Sequence, residues 1–181
     1  MDIFSHSLWV IAGVEVARRR RIITGRHYFI PSAILAALPD VIHLVPVLAW
    51  ALFGNGSIAG LYSYAIALPD REPAMPAMVA LTAHHLHCIM HSGIVAGALT
   101  ALVWLVHRRL WPPLLAWWSH ILIDVFTHSD DYYPSPIFYP ITYWGFDGLA
   151  WNKPALLAIN YALLIVMFFW LHLARTRKRP R

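Results

Sequence analysis

Three residues able to ligate a metal, His120, Asp124 and His128, recur at i, i+4 and i+8 within the apolar stretch 118–128. On a helix they lie nearly one above another on a single face. Imidazole and carboxylate groups hold Zn²⁺, Mn²⁺ or Fe²⁺, and leaving them unpaired among apolar side chains is costly. A second group, His84, His87 and His91, falls at i, i+3 and i+7, so a helix continuing through it presents all three on one face. Asp40 and His43 form a third pair at i and i+3, set between Pro39 and Pro46, and His6 stands alone near the start of the chain.

The surroundings of these residues decide what kind of protein can hold them. Hydrophobic residues make up 59% of the 181 and charged residues 13%, against roughly 45–50% and about 25% in soluble domains. The mean hydropathy is +0.56. These figures describe a membrane protein. The net charge of +5 comes from clusters at Arg18–Arg21 with Arg26, at Arg108-Arg109 and at Arg175–Arg181. Each cluster abuts an apolar run, which is the positive-inside pattern and not a phosphate-reading surface, so nucleic acid is not expected as a partner. The single Cys88 excludes an intrachain disulfide.

The apolar runs are expected to form an all-α, polytopic helical bundle of about five membrane segments. The first, residues 3–17, is followed by its arginines and not preceded by them, which reads as a retained helix and not a cleaved signal. It is short for a hydrocarbon core of about 30 Å. Residues 30–53 form a second segment with a kink or unwinding expected at its prolines. Residues 54–83 connect on the outer side, with one interfacial helix around 61–68. A third segment runs from the histidine-dense entry at His84 to about Val106. A fourth carries His120 and Asp124, and residues 128–152 form a polar-aromatic outer lid. The last, from Pro154 to Ala174, returns inward. The arginines set the topology as N-out and C-in, with one integral-membrane domain over 1–174 and a basic cytoplasmic tail at 175–181. Fixed without reference to any histidine, that orientation brings His6, His84–His91 and His120–His128 to one side and one depth. Asp40 joins them only if its helix breaks or the site dips toward the midplane.

In this order the motifs resemble those of the bacterial membrane-bound, metal-dependent hydrolases. The elements are His6-Ser7, then Pro39-Asp40-Val41-Ile42-His43, then His87-Cys88-Ile89-Met90-His91-Ser92, and finally the His-x-x-x-Asp-x-x-Thr run from His120 to Thr127. The family is distantly similar to zinc-dependent phospholipase C proteins. Two departures stand out: Ile42 where the family carries a second Asp, and Cys88-Ile89 where it carries Arg-Gly. The resemblance implies an inner-membrane hydrolase of an ester or phosphoester, lipid or lipid-linked, whose site faces the extracytoplasmic side. The expected metal ligands are His6, Asp40, His91, His120 and Asp124, for zinc first, with manganese or iron as alternatives. His87 or Asp130 is expected to move the proton in catalysis. His43, His84, His128 and Thr127 are expected to orient the ligands from behind.

Other readings of the same residues stand beside this one. His120 and Asp124 can form a buried pair that only fastens helices. The cluster can bind or transport a metal without hydrolysis, although few polar residues continue the path below Asp40. Bis-histidine haem ligation by His91 and His120 is a third, against which the accompanying carboxylates count.

Overall fold

In the computed structural model, which describes residues 1–176, the chain is helical and, among those residues, contains no strand. Helix α1 spans Ile3–Arg19 and begins where the Asp2 carboxylate accepts the Ser5 backbone N–H at 3.0 Å. A 3-10 turn at Arg26–Tyr28 leads into α2, Phe29–Ile42, and α3, Leu44–Phe53. The short α4, Ile58–Ala65, occupies the connection where an interfacial helix is expected. Then follow α5, Ala77–Met90, α6, Gly93–His107, α7, Leu114–Thr127, and α8, Pro154–Thr176. The last helix runs past residue 174 to Thr176, and residues 177–181 of the expected basic tail lie outside the described residues.

Two apolar runs are bent. Helices α2 and α3 meet at 63°, and α5 and α6 at 62°. The expected break at Pro39 does not occur: Pro39 stays inside α2, and the chain turns at His43. Pro46 is the third residue of α3, where a backbone N–H has no helical acceptor and its absence costs nothing. A fresh helix therefore begins after His43. The second bend divides the segment expected to run from His84 to about Val106. Helix α5 stops at Met90, and Ser92 starts α6 by accepting the Val95 N–H at 3.1 Å. The Gly93 N–H donates to Ile137 O at 2.9 Å, tying the bend to the loop after α7.

By length and composition, α8 is the one described helix that can cross a membrane unaided; counting each bent pair as a single crossing gives three. Only 11% of the apolar window of α8 is buried within the molecule. Helix α7, with 14 residues, is about 21 Å long and falls short of the hydrocarbon thickness.

Helix α2 is the hub, packing on α1, α5 and α7, while α8 covers α1. Small buried residues, Ser5 and Ala12 on α1 and Ser32 and Ala36 on α2, line the inner faces of the two helices; side chains of this size allow close backbone approach. Trp117 packs with Ala96, Leu114 and Ile121 in a buried cluster between α6 and α7. Its indole N–H donates to Met90 O at 2.6 Å, which pins α7 to the end of α5. On the other flank, the Trp9 N–H donates to Asn160 Oδ1 and Asn160 Nδ2 donates to Ser5 Oγ, fastening α8 to the first turn of α1.

Candidate metal centre

The helices bring four ligand-type side chains to one point. Helix α7 presents His120 and Asp124 one turn apart, both fully buried. Asp40 comes from the last turn of α2, and His91 from the bend after α5, where it is also fully buried. One ligand atom from each of these four lies within 4.8 Å of every other. The cluster can therefore hold a metal ion.

The hydrogen bonds behind the two imidazoles set their protonation. His91 Nδ1 lies 2.9 Å from the His87 carbonyl, and His120 Nδ1 lies 2.7 Å from the Ala36 carbonyl. A carbonyl only accepts, so each Nδ1 carries the proton and donates it. In the neutral rings each Nε2 is then a bare lone pair. Those two atoms face each other at 3.1 Å. They also face carboxylate oxygens: His91 Nε2 stands 3.5 Å from Asp40 Oδ1 and 3.4 Å from Asp124 Oδ2, and His120 Nε2 stands 3.6 Å and 3.1 Å from the same atoms. Four acceptors thus point at one another.

The spacing matches a shared cation. Ligands about 2.1 Å from one tetrahedral ion are about 3.4 Å apart along each edge. Five edges of the His91–His120–Asp40–Asp124 tetrahedron measure 3.1–3.6 Å or are consistent with it at 3.1 Å between imidazoles.

His6 approaches from α1. It is buried and stacks on His120 at 3.8 Å between ring centroids. Its Nε2 lies 2.9 Å from Asp124 Oδ1 and 4.0 Å from Asp40 Oδ2, the carboxylate oxygens turned away from His91 and His120. Despite the short distance, neither His6 nitrogen is aligned in a hydrogen bond, and Asp40 Oδ2 and Asp124 Oδ2 are likewise buried without one. Buried polar atoms are rarely left so. The Met1 ammonium donates to Asp124 Oδ1 and, at 3.2 Å, to Thr127 Oγ1. The Thr127 hydroxyl in turn reaches Asp124 Oδ1 at 3.3 Å.

A cavity of about 580 Å³ opens beside the cluster. Of the four central residues only Asp40 lines it, with 16% of its side chain exposed. His43, His84, His87 and His128 line it as well. The His87 ring stacks on His91 at 4.1 Å and meets His43 edge-on at 5.5 Å, forming an imidazole wall between cavity and cluster. His84 sits farther out, stacked on Tyr143 and 3.6 Å from Cys88 Sγ. His128 ends α7 in extended backbone, its Nδ1 donating to Asp124 O at 3.1 Å. Burial pushes the His128 imidazole down to about 4, which keeps it neutral at the rim. Asp130 is exposed, does not line the cavity, and its backbone N–H donates to Asp147 Oδ1.

The far wall contains residues to which spacing assigns no role. Tyr64, Tyr132, Tyr133, Trp151 and Glu72 line it, with the Tyr133 hydroxyl donating to Glu72 Oε1. Burial, reinforced by that carboxylate, pushes the Tyr133 phenol well above its ordinary range. The Tyr132-Tyr133 pair lies in the aromatic stretch expected as a lid; the turn-like sequence around Glu72 carries no signal of its own. Trp151 is placed by a backbone strap in which Gly148, Leu149 and Trp151 donate to the carbonyls of His128, Phe126 and Thr127. A Cβ at Gly148 would stand 2.5 Å from Phe126 O, so the strap passes only with glycine there.

No family model, curated protein or solved structure matches this chain.

Proposed function

We propose that this chain is a membrane-embedded, metal-dependent hydrolase of an ester or phosphoester, and that the His6, Asp40, His91, His120 and Asp124 donors hold its ion. The observation that carries this reading is the convergence of bare lone pairs at ligand spacing. A His–Asp pair that only fastens helices needs a proton between its partners, and in the neutral rings both imidazole protons are committed to carbonyls on the outer side. The mixed nitrogen and oxygen donors at tetrahedral spacing favour zinc, with manganese or iron as alternatives. An ion held there would lower the pKa of a bound water to about 7 and polarise a carbonyl or phosphoryl oxygen.

The residues supply the rest. The His87 and Ala36 carbonyls hold His91 and His120 in one tautomer and one orientation. Asp40 is the ligand next to which a substrate can sit. His87, on the cavity wall and stacked on His91, is placed to take a proton from the attacking water and return it to the leaving group; Asp130, outside the lining, is not. Apolar Phe4, Leu44 and Met75 share the cavity with these polar groups, which suits a substrate with an apolar portion such as a lipid or lipid-linked ester. Among the described residues no lysine or arginine lines the cavity. A substrate phosphate would therefore be met without a guanidinium or lysine side chain.

The arginines support a five-segment, N-out and C-in arrangement in the bacterial inner membrane. Arg18 to Arg21, Arg26, Arg108-Arg109 and Arg175 stand at or just beyond helix ends away from the His/Asp motifs, which supports a cavity that opens to the extracytoplasmic side.

Purified protein and an Asp124→Ala variant, incubated with a panel of phospholipids and simple esters, test the reading. The expected result is release of phosphate, headgroup or acid by the first and at least a hundred-fold less by the second. Full zinc occupancy without turnover on any ester would leave a metal-binding protein and overturn the hydrolase.

A further inference from the structure

A second cavity, of about 870 Å³, lies at the other end of α1, between that helix, the start of α2 and the end of α8. Phe4 of the first cavity and Ile11 of the second are seven residues apart on one helix, so the nearest margins of the two cavities lie about 10 Å apart along α1. We propose that this cavity binds an anionic phospholipid, its headgroup phosphate among the arginines and its acyl chain along the apolar wall. The inference rests on the membrane reading above, but not on the metal or the chemistry.

Charge is the first ground. Arg18, Arg19, Arg21, Arg26 and Arg175 line the cavity, and among the described residues Glu15 is the only acid that does. Glu15 engages Arg18 and Arg19 at 2.6–2.8 Å. Its single negative charge leaves the cavity strongly positive, with Arg21, Arg26 and Arg175 around the mouth. Planar guanidinium forks suit phosphate oxygens in pairs. Arg21 also adopts a left-handed backbone, φ 61°, directly after α1, where glycine is usual. Its carbonyl-capping turn, with Ile22 N–H donating to Ala17 O, fixes its place at the rim.

The opposite wall supplies the second ground. Ile11, Phe29, Ile30, Phe168 and Leu171 face the same space. Ile30 is 73% exposed, and beyond Phe168 the outer face of α8 continues as exposed Phe169, Val166 and Ile165. A free phosphate or a nucleic acid would use the arginines and leave this wall bare. A lipid satisfies both, and basic pockets between membrane helices are a recognised setting for anionic headgroups.

The test uses the full chain purified in a neutral detergent and short-chain phosphatidylglycerol, phosphatidylcholine and inorganic phosphate as probes, with bound lipid read by native mass spectrometry. Phosphatidylglycerol is expected to be retained at least ten-fold better than phosphatidylcholine, and not to be displaced by equimolar phosphate. An R26Q/R175Q double variant is expected to lose about five-fold in retention per arginine. R26K/R175K is expected to recover part of it, and the helical circular-dichroism signal, unchanged in both, reports that the fold persists. Equal retention of the two lipids overturns the proposal, as does undiminished phosphatidylglycerol on a folded R26Q/R175Q variant. Displacement by phosphate alone would make it a simple anion site and also overturns it. Protein that stays in solution without detergent refutes the membrane reading itself, an outcome separate from loss of lipid preference.

Discussion

The two ends of α1 carry ionic clusters of opposite construction. Near its C-terminus, Glu15 accepts from Arg18 Nε and Nη2, both at 2.8 Å, and from Arg19 Nε at 2.6 Å. Every close approach pairs a donor with an acceptor, and the cluster is complete in itself. Near its N-terminus, His6 joins His91, His120, Asp40 and Asp124, where the neutral His91 and His120 rings approach each other and the carboxylates at 3.1–3.6 Å, acceptor against acceptor. The Arg end is partly exposed to solvent, whereas at the His end only Asp40 reaches the cavity. Burying mismatched acceptors is the costlier arrangement. The difference teaches that proximity of acids and bases does not identify a metal centre; the direction of their protons does.

That contrast can be broken by experiment, most severely with Asp124→Ala. Elemental analysis should show bound divalent metal falling from near stoichiometric to under about a tenth, while Glu15→Gln keeps its full complement. Equal metal in the two variants would erase the distinction. Acid gives the next largest effect. Each Nε2 and carboxylate oxygen must be deprotonated to ligate, so metal retained after dialysis should fall steadily from pH 8 to pH 5. Retention that rises on acidification would place protons, not an ion, between the groups. Thr127→Val removes a hydroxyl from Asp124 Oδ1 and should weaken metal affinity about ten-fold, read by competition with a chelating dye. Glu15→Gln sharpens the other side. An arginine cluster of this exposure contributes about 0–1 kcal/mol, so thermal unfolding should move by only a few degrees.

The periodic parts of this molecule could be read from the chain. The His120–Asp124 pair is one helical turn apart, and no tertiary information is needed to know that they share a face. Helix α1 and the short α4 are equally local. The bends were harder. Proline pointed to Pro39, yet the turn falls at His43, because Pro46 is harmless within the first turn of α3 and α2 tolerates Pro39 near its end. At His91 the spacing of 84, 87 and 91 implied one continuous helix. The capping serine that ends it, Ser92, draws its force from the loop contact of Gly93 with Ile137, forty-four residues on. The most informative partner, the Ala36 carbonyl behind His120, has no side-chain signature at all. Backbone acceptors eighty-four residues away become visible only once helices are packed.

Of the four central ligands, Asp40 alone touches the cavity. An ion arriving from that side would meet this carboxylate before His91, His120 and Asp124, and an ion leaving by the same route would pass it last. A substitution at Asp40 would then bear on how fast such an ion comes and goes as well as on how tightly it is held.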